Sequence, residues 1–216
     1  MLARSKSVLA DMIAENLGIR VLSCEYQILL ELFENSSATS GELSSRCHVA
    51  LATFQKSLGN LAARQLIGWE RDDADGRRRT WRLSTDTHDI LTQELRFPVM
   101  WEPCGRRADA EKGIFGSVTR LQDLLRTKVF SGEFQILLWL YDEECLTTGE
   151  LLARSDTSPG AFYMALKRLA DLRLIDDLPD HADRRRKLHR LTGKTRAALD
   201  EFYIGLREWA NNLPPP

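Results

Sequence analysis

The feature that most constrains this 216-residue chain is an internal repeat with a spacing of 108 residues. The repeat runs without a gap through apolar, turn and charged positions alike, a register that does not arise by chance. We therefore predict two units of one fold, at residues 1–97 and 108–212, joined by a linker at 98–107. The clearest repeated pairs are Glu25/Glu133, Gln27/Gln135, Ile28/Ile136, Gly41/Gly149, Phe54/Phe162, Leu61/Leu169, Asp75/Asp183, Arg77/Arg185 and Arg82/Arg190.

Within each unit, apolar periodicity and capping signals predict three helices followed by a hairpin. A threonine followed three residues later by a glutamate, at Thr39 and Thr147, marks the start of the second helix. Two short alternating strands with a charged turn follow the third helix. The predicted helices cover 23–34 and 131–142 (first), 51–64 and 159–172 (third), and 2–18, 86–96, 109–128 and 194–210 (flanking).

This order of elements is typical of a winged helix-turn-helix, in which the third helix enters the major groove of DNA and the hairpin forms the wing. The predicted fold class is therefore mainly α with small β-hairpins. We expect two tandem winged helix-turn-helix domains packed through their flanking helices.

Positive charge is concentrated on the predicted wings. The whole chain is balanced, with 30 Lys and Arg against 31 Asp and Glu, so its net charge gives no attraction to nucleic acid. Each hairpin turn, however, carries acids first and then a run of cations that can cross phosphates or enter a narrow minor groove. The candidate DNA-binding wing residues are Arg77, Arg78, Arg79, Arg82, Arg184, Arg185, Arg186, Lys187 and Arg190.

The face of the third helix opposite its apolar stripe is the second candidate DNA-binding surface. In the first unit this face is small and mildly polar, which lets the helix lie deep in a major groove. In the second unit cations stand at the positions of Gly59 and Asn60, so we expect the two units to read different sequences. The candidate recognition residues are Thr53, Lys56, Asn60, Ser158, Met164, Lys167 and Arg168.

Both units resemble the MarR-type (multiple antibiotic resistance regulator) winged-helix transcription factors. In the second unit the resemblance rests on residues 169–175, on Asp183 with the two arginines after it, and on the Leu-Thr pair at 191–192. The first unit carries a shorter version at 75–77 and 83–84. The chain departs from the family pattern where glycine is usual, at Gln65, Arg173 and Thr195.

The resemblance implies a transcriptional regulator that binds double-stranded DNA sequence-specifically, with repression as the expected sign and a small-molecule effector as a further partner. It also implies that Arg77 and Arg185 contact the minor groove and that Asp75 and Asp183 orient them. Because such proteins act as homodimers, we expect the two units to form a pseudo-dimer on an asymmetric or pseudo-palindromic site, with half-sites roughly one turn apart. A homodimer of the whole chain stays open.

Two alternative functions also stay open. The chain could be a winged-helix protein-protein interaction module without a DNA role, which the cation-poor recognition face of the first unit and the overall charge balance would favour. It could instead be a plasmid replication initiator, which is also built from tandem winged helices but usually lacks this wing motif. Salt-dependent DNA binding separates the first alternative from the regulator, and binding to repeated origin sequences identifies the second.

We expect no enzyme, no metal and no cofactor, because the histidines are isolated and no phosphate-binding or nucleophile motif occurs. No apolar stretch approaches the roughly 20 residues of a membrane helix, and the N-terminus does not read as a signal peptide, so we expect a cytoplasmic protein with no membrane partner. Scattered cysteines suit reduced thiols, with Cys24 the candidate for redox sensing. The others are Cys47, Cys104 and Cys145.

Overall fold

The computed structural model describes residues 11–71, 79–96, 114–155, 157–179 and 186–211. Residues 11–17 form helix α1. The other elements of the first half are α2 (Cys24–Asn35), β1 (Ala38–Thr39), α3 (Ser40–Cys47), α4 (Leu51–Ala63), β2 (Ile67–Arg71), β3 (Arg79–Leu83) and α5 (Thr85–Arg96). Those of the second half are α6 (Ile114–Leu125), α7 (Gly132–Glu143), β4 (Cys145–Thr147), α8 (Thr148–Arg154), α9 (Pro159–Asp171), β5 (Ile175–Pro179), β6 (Lys187–Leu191) and α10 (Gly193–Asn211).

The elements follow the spacing of the sequence repeat. Helices α2 and α7, helices α4 and α9, strands β2 and β5, and strands β3 and β6 each begin and end 108 residues apart, as from Cys24 to Gly132. Wherever the predicted end of a helix falls within the described residues, it lies within two residues of the observed end, except that α6 ends at Leu125 rather than at 128. The predicted starts at 2 and 109 lie outside the described residues. The left-handed backbone of the next residue, Arg126, with a φ of 48°, ends this helix.

Serine and threonine side chains set where the helices begin. The hydroxyls of Thr39 and Thr147 accept the N–H of a glutamate three residues later, and that glutamate's carboxylate accepts the threonine N–H in return. These are the two predicted capping boxes, and both are confirmed. Ser158 caps α9, whose first residue is Pro159, a residue favoured at this position because its ring fixes a helical φ.

Each half contains a three-stranded antiparallel sheet, which corrects the prediction of a two-stranded hairpin. The strand orders are β1-β3-β2 and β4-β6-β5. The extra edge strands β1 and β4 span two and three residues, too short for an alternating pattern to reveal them. Thr39 and Thr147 end these strands and cap the next helix. Each sheet is thereby joined to its helix-turn-helix, and the order of elements in each half is that of a winged helix.

Buried side chains form one continuous core that runs through both halves. The predicted stripe on the third helix of the first half is buried at Phe54, Leu58 and Leu61. The equivalent stripe on α9 is also buried. The opposite faces of α4 and α9 are therefore the ones left for solvent or a partner.

The two halves are joined by hydrogen bonds between the loops that precede α2 and α7. Leu22 and Phe130, which are equivalent in the repeat, form an antiparallel bridge. On one side of it the N–H of Ser23 donates to the carbonyl of Val129 at 2.9 Å, and on the other the N–H of Ser131 donates to the carbonyl of Val21 at 2.8 Å. The two serine hydroxyls also donate to equivalent carbonyls, those of Lys128 and Arg20. Each bond that the first half donates to the second is therefore matched by an equivalent bond that the second half donates to the first.

Flanking helices take part in this contact as well. Arg120 on α6 forms an ion pair with Glu94 on α5, with 3.2 Å between Nε and Oε1. The flanking helices were expected to join the units, whereas no signal in the sequence marked the loops at 20–23 and 128–131.

Replacing Ser131 by alanine tests the contact between the halves. Its buried hydroxyl accepts the N–H of Phe134 at 3.2 Å as the N-cap of α7 and also donates across to the carbonyl of Arg20. Losing an N-cap costs about 1 kcal/mol, and the second bond brings the expected loss of unfolding free energy to about 2 kcal/mol, measurable by urea denaturation. Ser158→Ala, which removes a cap on α9, is the matched control. Equal losses in the two variants would contradict a contribution from the bond between halves.

Candidate nucleic-acid interface

The third helices expose every recognition residue that the sequence predicts. Thr53, Lys56 and Asn60 are exposed on α4. Met164 on α9 has 76% of its surface accessible. The other three, Ser158, Lys167 and Arg168, are also exposed.

Asn60 and Arg168, at equivalent positions, each contact a glutamate in the first turn of the first repeated helix of their own half, α2 or α7. The Asn60 amide donates to Glu25 at 3.0 Å, and the Arg168 guanidinium lies 3.7 Å from Glu133. Lys167 is likewise paired within α9, with Asp171 at 3.3 Å. Base edges must therefore compete with these contacts at three of the seven predicted positions.

Two further exposed residues, which the sequence did not single out, lie nearer the helix N-termini than Asn60 and Arg168 do. They are Gln55 on α4 and Tyr163 on α9, which are equivalent in the repeat. The Tyr163 ring is 51% exposed and packs edge-on against Phe162, with 5.4 Å between the centroids. A glutamine amide suits adenine and an apolar side chain suits the methyl group of thymine, so these positions could discriminate bases differently. Both residues directly follow a buried phenylalanine, a signal that could have located them.

The C-terminal parts of α4 and α9 are held by the opposite half. Arg64 donates to Glu25 and to the hydroxyl of Thr127, each at 2.7 Å, and to the carbonyl of Arg126. Arg168 donates to the carbonyl of Gly18, the residue equivalent to Arg126. One arginine from each third helix thus bridges to the other half at an equivalent point. The repeat gave no signal for Arg64, because its equivalent in the second half is a leucine.

Helices α4 and α9 also face a common cleft. A cavity of about 640 Å³ is lined by Thr53 and Ala161, which are equivalent in the repeat, and by Met164. The cations Arg20, Lys167 and Arg168 line it as well, together with Glu133 and Asp171. The N-terminal turns of the two recognition helices therefore lie near one another.

The wings are described only at their bases. The predicted wing residues Arg77, Arg78, Arg184 and Arg185 and the orienting residues Asp75 and Asp183 lie outside the described residues. The predicted wing residues within the described ranges are Arg79, Arg82, Arg186, Lys187 and Arg190.

Most of the described wing cations have local partners. The Arg82 and Glu70 side chains pair at 3.2 Å in the first half, and Arg190 and Asp176 pair at 3.5 Å in the second. Arg186 lines a second cleft, of about 620 Å³, with Lys187 and the residues that begin α8. The charge available to a phosphate is therefore smaller than the count of cations indicates.

A buried histidine in the second half links three elements. The Nδ1 atom of His189 on β6 lies 2.9 Å from Asp177 on β5, and its Nε2 atom lies 2.8 Å from the hydroxyl of Thr148 on α8. A hydroxyl, an imidazole and a carboxylate in this order can catalyse acyl transfer. In the first half, however, the equivalent Trp81 donates its indole N–H to Ser40 at 2.8 Å. An indole cannot accept a proton, so what both halves share is a bond that ties the last strand to the start of a helix.

Cys24, the redox candidate, is buried beside Cys47, and both are free thiols. The Cys47 thiol donates a hydrogen bond to the Cys24 sulfur, which lowers the pKa of Cys24 and raises that of Cys47.

In a pH titration, we expect the ultraviolet absorbance of the Cys24 thiolate to rise in a step below the usual pH range of a cysteine. Cys47→Ala should move that step to higher pH, and an unchanged step in this variant would contradict the assignment. Cys145→Ala is the control, since Cys145 is not part of the pair.

Among the described residues, no three potential ligands are grouped so that they could hold a metal ion. In the same ranges, no helix combines the length and the apolar character that crossing a bilayer requires.

Comparison with known proteins adds little to these contacts. No protein-family model matches the chain, and no curated protein matches it. Among solved structures, a mutant MarR from E. coli in complex with operator DNA is similar at 17% sequence identity, over 57% of this chain and 86% of that chain, with a TM-score of 0.29. At this TM-score the likeness carries no argument about fold or function, which rest on the residues and contacts of the chain itself.

Proposed function

We propose that the chain is a sequence-specific, double-stranded DNA-binding transcriptional regulator. The observation that carries the proposal is that both halves combine a helix-turn-helix, an exposed third helix and a three-stranded sheet that ends in a cation-rich turn. A winged helix uses this combination to place one helix in the major groove and to hold the adjacent backbone with the wing. Cations concentrated on these turns provide local attraction to phosphates in a protein whose overall charge is near zero.

The halves are proposed to be a tandem duplication that acts as a MarR-like pseudo-dimer. Support comes from the 108-residue spacing of the elements and from the reciprocal bonds of Ser23 and Ser131. In this arrangement the chain supplies both halves of a binding site, and their different recognition residues suit an asymmetric one.

The common cleft favours a compact DNA site. Thr53 of α4 and Ala161 and Met164 of α9 line the same cavity, which supports a separation of the two recognition helices shorter than the roughly 34 Å between half-sites one turn apart. We therefore propose half-sites that lie closer together than the one turn of DNA expected from the sequence. Shortening a bound duplex measures this directly: about 15 base pairs should suffice, and a requirement for more than about 20 would contradict the compact site.

Repression by covering a promoter is the proposed action, and the cleft between α4 and α9 is where a small-molecule effector would contact both recognition helices. A reporter gene downstream of the bound fragment should be less active when the protein is present, and higher activity would overturn repression.

Selection of bound fragments from genomic DNA tests the proposal, with Arg77→Ala and Arg185→Ala as comparison variants. We expect enrichment of a few fragments and weaker binding by both variants. No binding at about 50 mM salt would contradict a DNA role and favour a protein-interaction module. Enrichment of repeated origin sequences alone would favour a replication initiator.

A further inference from the structure

Trp69 on β2 and Asp177 on β5 occupy equivalent positions in the two wings and differ in chemistry. Each lies opposite the central residue of the next strand, where Trp69 pairs with Trp81 and Asp177 pairs with His189. Both side chains therefore point to the same face of their sheets, near the turn that carries the cations. Trp69 is 44% exposed, although tryptophan is usually buried.

Trp69 and Asp177 make different interactions with the neighbouring wing cation. The Arg79 guanidinium lies over the Trp69 ring, 4.3 Å from its centroid. Lys187, the residue equivalent to Arg79, instead places its Nζ atom 3.3 Å from the Asp177 carboxylate. An aromatic ring holds a guanidinium in place and leaves its full charge, whereas a carboxylate cancels the charge and competes with a phosphate.

Two further ion pairs between described residues of the wing bases do not offset this difference. Arg82 with Glu70 and Arg190 with Asp176 are each one cation with one carboxylate, in the first and second half respectively. The contrast between the two wing bases thus lies at Trp69 with Arg79 against Asp177 with Lys187.

We propose that the first wing is the stronger contact to the DNA backbone, because Trp69 holds Arg79 in position while Asp177 restrains Lys187. Trp69 is then a positioning residue that acts through Arg79. The second half binds the backbone more weakly and contributes more through its recognition helix. The inference rests on the proposed function and adds to it the division of labour between the halves.

The first test compares Arg79→Ala with Lys187→Ala, which remove one cation each from equivalent positions. The probe is a mixed-sequence duplex of about 30 base pairs, since backbone contacts do not depend on sequence, and affinity is measured at several salt concentrations. Each phosphate contact contributes about 0.9 to the slope of log affinity against log salt. Arg79→Ala should reduce the slope by about 0.9 and Lys187→Ala by less than half of that. Equal reductions would overturn the inference.

The second test changes the partners and keeps the cations. Trp69→Ala should weaken binding about two- to five-fold, and Trp69→Phe, which retains a ring, should restore most of it. Asp177→Asn should bind more tightly and steepen the salt slope by about 0.9, because Lys187 is released. The asparagine keeps an oxygen that can accept from His189, and unfolding midpoints show whether each variant folds.

The outcomes separate the inference from the function on which it rests. If the wild-type chain fails to bind the duplex, the DNA role fails and the inference fails with it. If the wild type binds while Trp69→Ala and Asp177→Asn leave both affinity and salt slope unchanged, the inference alone is wrong. Should Trp69→Ala not fold, the comparison of Arg79→Ala with Lys187→Ala decides.

Discussion

Phe162→Ala is expected to lower the free energy of unfolding by roughly 3–5 kcal/mol. The Phe162 ring on α9 is 1% exposed and lies in the core beneath the recognition helix. Removing the ring loses the free energy gained by transferring it from water into the core, and it leaves a cavity that the neighbouring side chains fill only in part. Because small domains are stable by about 5–15 kcal/mol, this is a large share of the total, and urea denaturation will resolve it.

The adjacent residue provides the control. Tyr163 lies next to Phe162 on the same helix but is 51% exposed, so Tyr163→Ala should change the unfolding free energy by about 0.5 kcal/mol. Similar losses in Phe162→Ala and Tyr163→Ala would contradict the burial assigned to α9.

Phe162→Ala also reports whether the two halves unfold together. One core runs through both halves, and bonds at Ser23 and Ser131 join them, so we expect a single cooperative transition. Amide hydrogen exchange in Phe162→Ala should then lose protection in the first half as well as the second. Loss of protection confined to the second half would show that the halves are stable independently. In that case Phe54→Ala, the equivalent change in the first half, should remove protection from the first half alone.

Local signals made most of the fold predictable. The Thr39 and Thr147 capping boxes, the proline that begins α9 and the apolar stripe at Phe54 and Leu61 each act within a few residues, so the sequence shows them directly. Strand β1 was missed because its two residues pair with a strand about 40 positions later, and no local period marks them. The bonds of Ser23 and Ser131 across the halves were missed for the same reason, since their partners are more than 100 residues away.

The candidate site was predictable as a set of positions but not as an arrangement. Periodicity correctly placed Lys56 and Met164 on exposed helix faces. It could not show that Asn60 is bound to Glu25, nor that Asp177 lies against Lys187, because each depends on how separate elements pack. A count of cations ranks the second wing as the more basic, whereas the pairs formed on the sheet favour the first. Charges therefore have to be assigned to partners before they are assigned to DNA.

Removing the wing cations is expected to have the largest effect on DNA binding. One variant replaces residues 77–79 by alanine, a second replaces the equivalent residues 185–187, and a third combines the two. With about 0.9 in salt slope for each phosphate contact, each triple variant should lose up to about 2.7 and the combined variant up to about 5.4. Between about 50 and 200 mM salt, the affinity of the wild type should then fall roughly a thousand-fold more than that of the combined variant.

A control for net charge separates the wings from a general electrostatic effect. Arg120 pairs with Glu94 on the flanking helices, and Lys194 lies in the first turn of α10, after the end of β6 that is away from the wing turn, so neither belongs to the proposed DNA surface. Arg120→Ala with Lys194→Ala also removes positive charge, yet the salt slope should stay near that of the wild type, because counterions are released only where cations contact phosphates. If this double variant lowers the slope as much per charge as the wing variants do, binding follows overall charge and the wings have no special role. If the first-wing triple variant loses more slope than the second, the loss also supports the unequal wings inferred from Trp69 and Asp177.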